Sequence, residues 1–72
     1  MNDQEIIDLI RDGLPGAEVH PEGEGCSFKI TVISEAFAGK SLIEQHRMVN
    51  ALLAEPLRSG ALHAVTLDTR TP

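Results

Sequence analysis

The stretch "FAGKSLIEQHRMVN", Phe37 to Asn50, decides how this chain is laid out. Ser41 with Glu44 three residues on is a capping box, in which each side chain satisfies the other residue's free backbone N–H at a helix start. The helix that follows carries Leu42, Val49, Leu52 and Leu53 as its buried stripe. It lies between two alternating runs, "CSFKITVI" (Cys26 to Ile33) and "LHAVTLDT" (Leu62 to Thr69). Strands joined through a helix run parallel when they are neighbours, and the crossover is nearly always right-handed. Pro56 ends or bends the helix, and "LRSG" holds one more short helical turn.

The same stretch carries three chemical cues, and each meets a plainer reading. "GKS" closes a phosphate loop only when a glycine stands five residues before Gly39, and Ser34 stands there instead. His46, four residues after Leu42 and three before Val49, falls beside the buried stripe. That placement suits a ring packed at the core edge with its nitrogens bonded to backbone. Lys40, Arg47 and Asn50 fall towards solvent, where they form either an ordinary polar face or a local contact for nucleic acid.

Working outward, "NDQEIIDLIRDGLPG" reads as a first helix capped by Asn2 or Asp3. Ile6, Ile7, Leu9 and Ile10 form its apolar face, and Gly13, Pro15 and Gly16 stop it. "AEVH" is a short strand, and "PEGEG" (residues 21–25) reads as a loop because of its Gly and Pro content. In "CSFKITVI" the parity puts Cys26, Phe28, Ile30 and Val32 on the core side. In the last strand it puts His63, Val65 and Leu67 there. The expected architecture is α+β: one domain over residues 1–72, αββααβ, with helices on one face of a three-stranded mixed sheet. RNA-binding KH domains share this kind of order but clamp nucleic acid with a GxxG loop between two helices. The GxxG here, Gly13 to Gly16, leads from a helix into a strand, so the clamp is misplaced.

Charge and composition narrow the function. Residues 1–25 hold seven acids and one base, a net −6, while residues 26–72 sum to +1, giving −5 for the chain. Binding to nucleic acid draws on clustered Lys and Arg, so such a face would have to be local, around Lys40 and Arg47. Trp and Tyr are absent, which removes most stacking platforms for bases. A lone cysteine forms no intrachain disulfide, the N-terminus "MNDQE" does not read as a signal peptide, and no apolar run approaches membrane-spanning length. These features point to a reducing, cytoplasmic setting. A chain of 72 residues leaves little room for an enclosed substrate cavity, and no triad spacing is present, so a non-enzymatic role is expected.

Cys26 and His63 gain meaning together. Each is read as beginning a strand, and in parallel neighbours both starts lie at one end of the sheet. Shared parity turns both to one side. A thiolate with an imidazole suits an iron–sulfur cluster, zinc or copper. Two ligands do not close such a site, so another molecule would supply the rest. His20, six residues before Cys26, is a candidate third ligand.

The run from Ile33 to Pro72 resembles the BolA family. The family's pattern, F-x-G-K-x-x-x-x-x-H-R-x-V-N/Y followed by H-A and T-x-T-P, is matched by Phe37, Gly39, Lys40, His46, Arg47, Val49, Asn50, His63, Ala64, Thr69, Thr71 and Pro72. The resemblance implies a KH-like fold of the order read above. It implies partnership with a monothiol glutaredoxin and a 2Fe–2S cluster shared with the glutaredoxin cysteine and its glutathione. His63 matches the family's histidine ligand, and Cys26 matches the Cys or His of the loop between the first two strands, with His20 as the substitute. Some members are described as DNA-binding transcriptional regulators, a role that would fall on Lys40, Arg47 and Asn50. Whether the apo chain is a monomer or a homodimer is open at this point.

Overall fold

The computed structural model describes Met1 to Pro72. The elements are α1 (Asp3–Gly13), β1 (Glu18–Glu24), β2 (Ser27–Ile33), a 3-10 turn (Glu35–Phe37), α2 (Leu42–Leu52), α3 (Ala54–Ser59) and β3 (Ala64–Arg70). The sheet order is β1-β2-β3, with β1 antiparallel and β3 parallel to β2, as the crossover argument requires. No helix is long and apolar enough to cross a membrane.

Local chemistry explains the helix starts. The Asn2 side chain accepts from the Glu5 N–H at 2.9 Å, and Glu5 accepts from the Asn2 N–H at 3.1 Å. Ser41 and Glu44 form the same reciprocal pair at α2. Each box satisfies backbone donors that the helix cannot pair internally. Gly60, left-handed at φ 85°, closes α3, and a glycine takes that conformation without penalty.

The core lies between the helices and one face of the sheet. Ile6 and Ile10 from α1 and Val49 from α2 are fully buried, as are Leu53 between α2 and α3 and Ile30 and Val32 of β2. Burying each such side chain stabilises the fold by about 1.5–3 kcal/mol before entropy is counted. Phe37, in the turn between β2 and α2, and Leu62, which parity places on the outward side of the last strand, are also core residues at 1% exposure. They pin the two ends of the β2–β3 crossover.

Four expectations are corrected. Residues 21–24 are strand, not loop: β1 runs to Glu24, and Pro21 is tolerated because β1 is an edge strand that does not need every N–H. β2 begins at Ser27, so Cys26 is a turn residue, and β3 begins at Ala64, so His63 precedes the strand. Both side chains are exposed, outside the core that parity assigned them. Leu42 is 60% exposed instead of buried. The polar Gln45 occupies the inward position, accepting from the Thr69 hydroxyl at 2.7 Å. This bond ties the first turn of α2 to β3.

A candidate metal-ligating edge

Glu24 pairs with Ser27, leaving Gly25 and Cys26 as a two-residue hairpin loop. Gly25 has φ 62°, and no residue other than glycine has positive φ. Positive φ followed by negative φ is the pattern of a type II′ turn, which takes glycine first and matches the twist of its strands. Gly23, at φ 147°, is held for a different reason: a Cβ there would collide with the Ser27 carbonyl and the Phe28 Cα. Cys26 is thereby presented at the tip of a tight hairpin.

The other side of the site is fixed through backbone. The Cys26 carbonyl accepts from the His63 N–H at 2.7 Å and from the Ala64 N–H at 3.2 Å. Buried Leu62, whose N–H donates to the Pro56 carbonyl at 3.0 Å, anchors His63 from behind. The structure therefore brings Cys26 and His63 together at the starts of β2 and β3. Neither side chain makes a hydrogen bond within the chain, and Cys26 is a free thiol.

His20 is not part of this arrangement. It pairs with Thr31 in the register, on the opposite sheet face from buried Val19, and its Nε2 lies 3.1 Å from Glu18 Oε2. No three His, Cys, Asp or Glu side chains lie close enough to hold a metal ion. A thiol and an imidazole at an open edge are donors of the kind a shared cluster takes, and the remaining ligands would have to come from another molecule. They do not make a closed site.

The two cavities of the chain lie elsewhere. One, of about 420 Å³, sits at the far end of the sheet among Gly13, Pro15, Ile33, Ser34 and Pro72. The other, of about 410 Å³, lies on α1 between Met1, Leu9 and the carboxylates Glu5, Asp8 and Asp12. The edge at Cys26 and His63 is uncovered.

Lys40, Arg47 and Asn50 are all exposed, as their spacing predicts. Lys40 follows Gly39 at the α2 start, at the end of the sheet opposite Cys26. Glu44 intervenes: the Ser41 N–H, the Ser41 hydroxyl and the nearby Lys40 charge hold its carboxyl below the usual range. No continuous basic stripe results. His46 is half-buried, and its ring nitrogens make no hydrogen bond within the chain, so the packing expectation holds and the backbone-bonding one does not.

Fold and edge together define a small KH-like α+β domain that lacks the KH clamp and offers a thiol and an imidazole at one end of its sheet. The chain belongs to the BolA family: residues 9–72 match the family model for BolA-like proteins. It is 37% identical over 68 residues to human BolA-like protein 1, covering 94% of this chain and 47% of that protein. It spans about half the length of the first named relatives. The structure of a BolA homologue from Coxiella burnetii superposes with a TM-score of 0.87 at 32% identity, covering all of this chain and 92% of that one. The BolA domain of SufE1 from Arabidopsis thaliana gives 0.86 at 30% identity, covering all of this chain and 95% of that one.

Proposed function

We propose that this protein is a non-enzymatic adaptor that binds a monothiol glutaredoxin and co-ligates a 2Fe–2S cluster through Cys26 and His63. The glutaredoxin cysteine and glutathione complete the site, and the complex serves iron–sulfur cluster trafficking or iron homeostasis. The observation that carries this reading is the 2.7 Å bond from the His63 N–H to the Cys26 carbonyl, which joins the backbones of two exposed residues, one bearing a thiol and one an imidazole. Likeness to the BolA domain of SufE1 supports a connection with iron–sulfur clusters. When bound, the cluster would supply the redox-active iron. This chain's part is to present one thiolate and one imidazole and to leave room for the partner.

The test is reconstitution with iron, sulfide, glutathione and a monothiol glutaredoxin, followed by visible absorption and circular dichroism. Cys26→Ala and His63→Ala should each change both spectra relative to the parent complex. Unchanged spectra in both variants would remove the ligand assignment. The alternative reading, a DNA-binding regulator of the BolA type, is favoured only by the exposed trio Lys40, Arg47 and Asn50. It requires DNA affinity that falls steeply with salt.

A further inference from the structure

The two edges of the sheet are unlike. β1 carries Pro21 and Gly23 and three exposed acids, Glu18, Glu22 and Glu24, features that discourage another strand from pairing there. β3, "AVTLDTR", has no proline, glycine or bulge. The Ala64 N–H donates to Cys26, and the Arg70 carbonyl accepts from Ser34. In a parallel ladder these orientations alternate, so Ala64, Thr66, Asp68 and Arg70 bond to β2. The backbone N–H and C=O of Val65, Leu67 and Thr69 therefore face outward, and β3 has no other strand beside it.

We propose that this open edge pairs with the β3 of a second copy, antiparallel and centred on Leu67, to form a two-fold symmetric dimer with a continuous six-stranded sheet. The edge fits itself in this register. Leu67 meets Leu67 of the partner subunit, and Val65 meets the partner's Thr69, so the outward N–H and C=O groups of both strands are satisfied. Asp68 falls opposite the partner's Thr66 and Arg70 opposite the partner's Ala64, so no like charges oppose. Within each strand, Arg70 already neutralises Asp68 at 2.8 Å. A second observation agrees. The Gln45–Thr69 bond puts the start of α2 on the β3 side, and there Leu42 and Ile43 stay 60% and 66% exposed, the large apolar side chains the fold leaves uncovered. A copy docked on β3 brings its own α2 to that side. This inference does not rest on the cluster reading.

The register can be tested by charge. Thr66→Asp sets an aspartate opposite the partner's Asp68, twice by symmetry, while in its own chain it gains Lys29, its β2 neighbour. Folding is therefore kept as dimerisation is opposed. By sedimentation equilibrium of the apo protein, the parent should show a monomer–dimer equilibrium, and Thr66→Asp should weaken it by roughly threefold to tenfold. The exchanged pair Thr66→Asp with Asp68→Thr restores a neutral residue opposite each aspartate and should return the dimer to about the parent affinity. Amide exchange at Val65, Leu67 and Thr69 should slow as concentration rises. A parent that stays monomeric at every concentration overturns the proposal, as does a dimer indifferent to Thr66→Asp. Protection of those amides only on adding a glutaredoxin would assign the edge to that partner instead and equally overturns it.

Discussion

The N–H of His63 donates to the carbonyl of Cys26 at 2.7 Å, and this single bond joins the hairpin loop to the start of β3. Parallel strands with β2 central place the two residues side by side, and the buried Leu62 prevents His63 from drifting. The two side chains are free because their positions are held by backbone.

His20 faces the other side of the sheet and is engaged with Glu18. His20→Ala should therefore leave the absorption and circular dichroism of the reconstituted complex unchanged. A spectrum altered as much as in His63→Ala would show that β1 rearranges to offer it.

The hairpin depends on two glycines for different reasons. Gly23 has no room for a Cβ, so Gly23→Ala should destabilise the fold by roughly 2–3 kcal/mol in chemical denaturation. Gly25 has open space and only its φ of 62° to protect, so Gly25→Ala should cost about 1 kcal/mol. The reverse order would contradict the turn geometry.

At the α2 cap, removing the Ser41 hydroxyl should cost about 1 kcal/mol at neutral pH. Glu44 is held below its ordinary value of 4.5 by the Ser41 N–H first, then by the Ser41 hydroxyl and Lys40. A depressed carboxyl stabilises the fold above its unfolded value, and that contribution is lost as pH falls through the lower folded value. The difference in thermal midpoint between the parent and Glu44→Gln should therefore shrink as pH falls below about 4.5. A difference that does not change with pH would mean the cap carboxylate adds nothing through its charge.

Lys40 follows the far end of β2, and the seven residues of that strand alone span about 20 Å away from the Cys26 turn. Lys40→Ala and Arg47→Ala should leave the cluster spectra untouched. Whatever DNA affinity the parent shows at low salt should drop in both variants, with a shallower salt dependence. DNA binding that is lost instead in His63→Ala would place that activity on the other edge.

Much of the layout is visible in the sequence because local chemistry decides it. The Ser41–Glu44 box, the alternation of Phe28, Ile30 and Val32, and Gly60 after α3 each carry their own structural instruction. What escapes is tertiary. Pro21 and Gly23 read as loop because propensity does not reveal that β1 is an edge strand with a bonded neighbour. Leu42 reads as core because periodicity does not say where a helix meets its sheet, and Gln45 takes the inward position through Thr69. Cys26 and His63 are correctly brought together by topology. Parity misassigns their surroundings, since each lies one residue outside its strand. Glycine before Cys26 in a two-residue loop was the signal for the turn.

The most direct measurement is pulsed electron paramagnetic resonance of the reduced cluster in the complex of this protein with a monothiol glutaredoxin and glutathione. A nitrogen coupling from a coordinated imidazole should be present in the parent and in His20→Ala and absent in His63→Ala. A coupling that survives in His63→Ala, or that is never present in the parent, would contradict the ligand assignment.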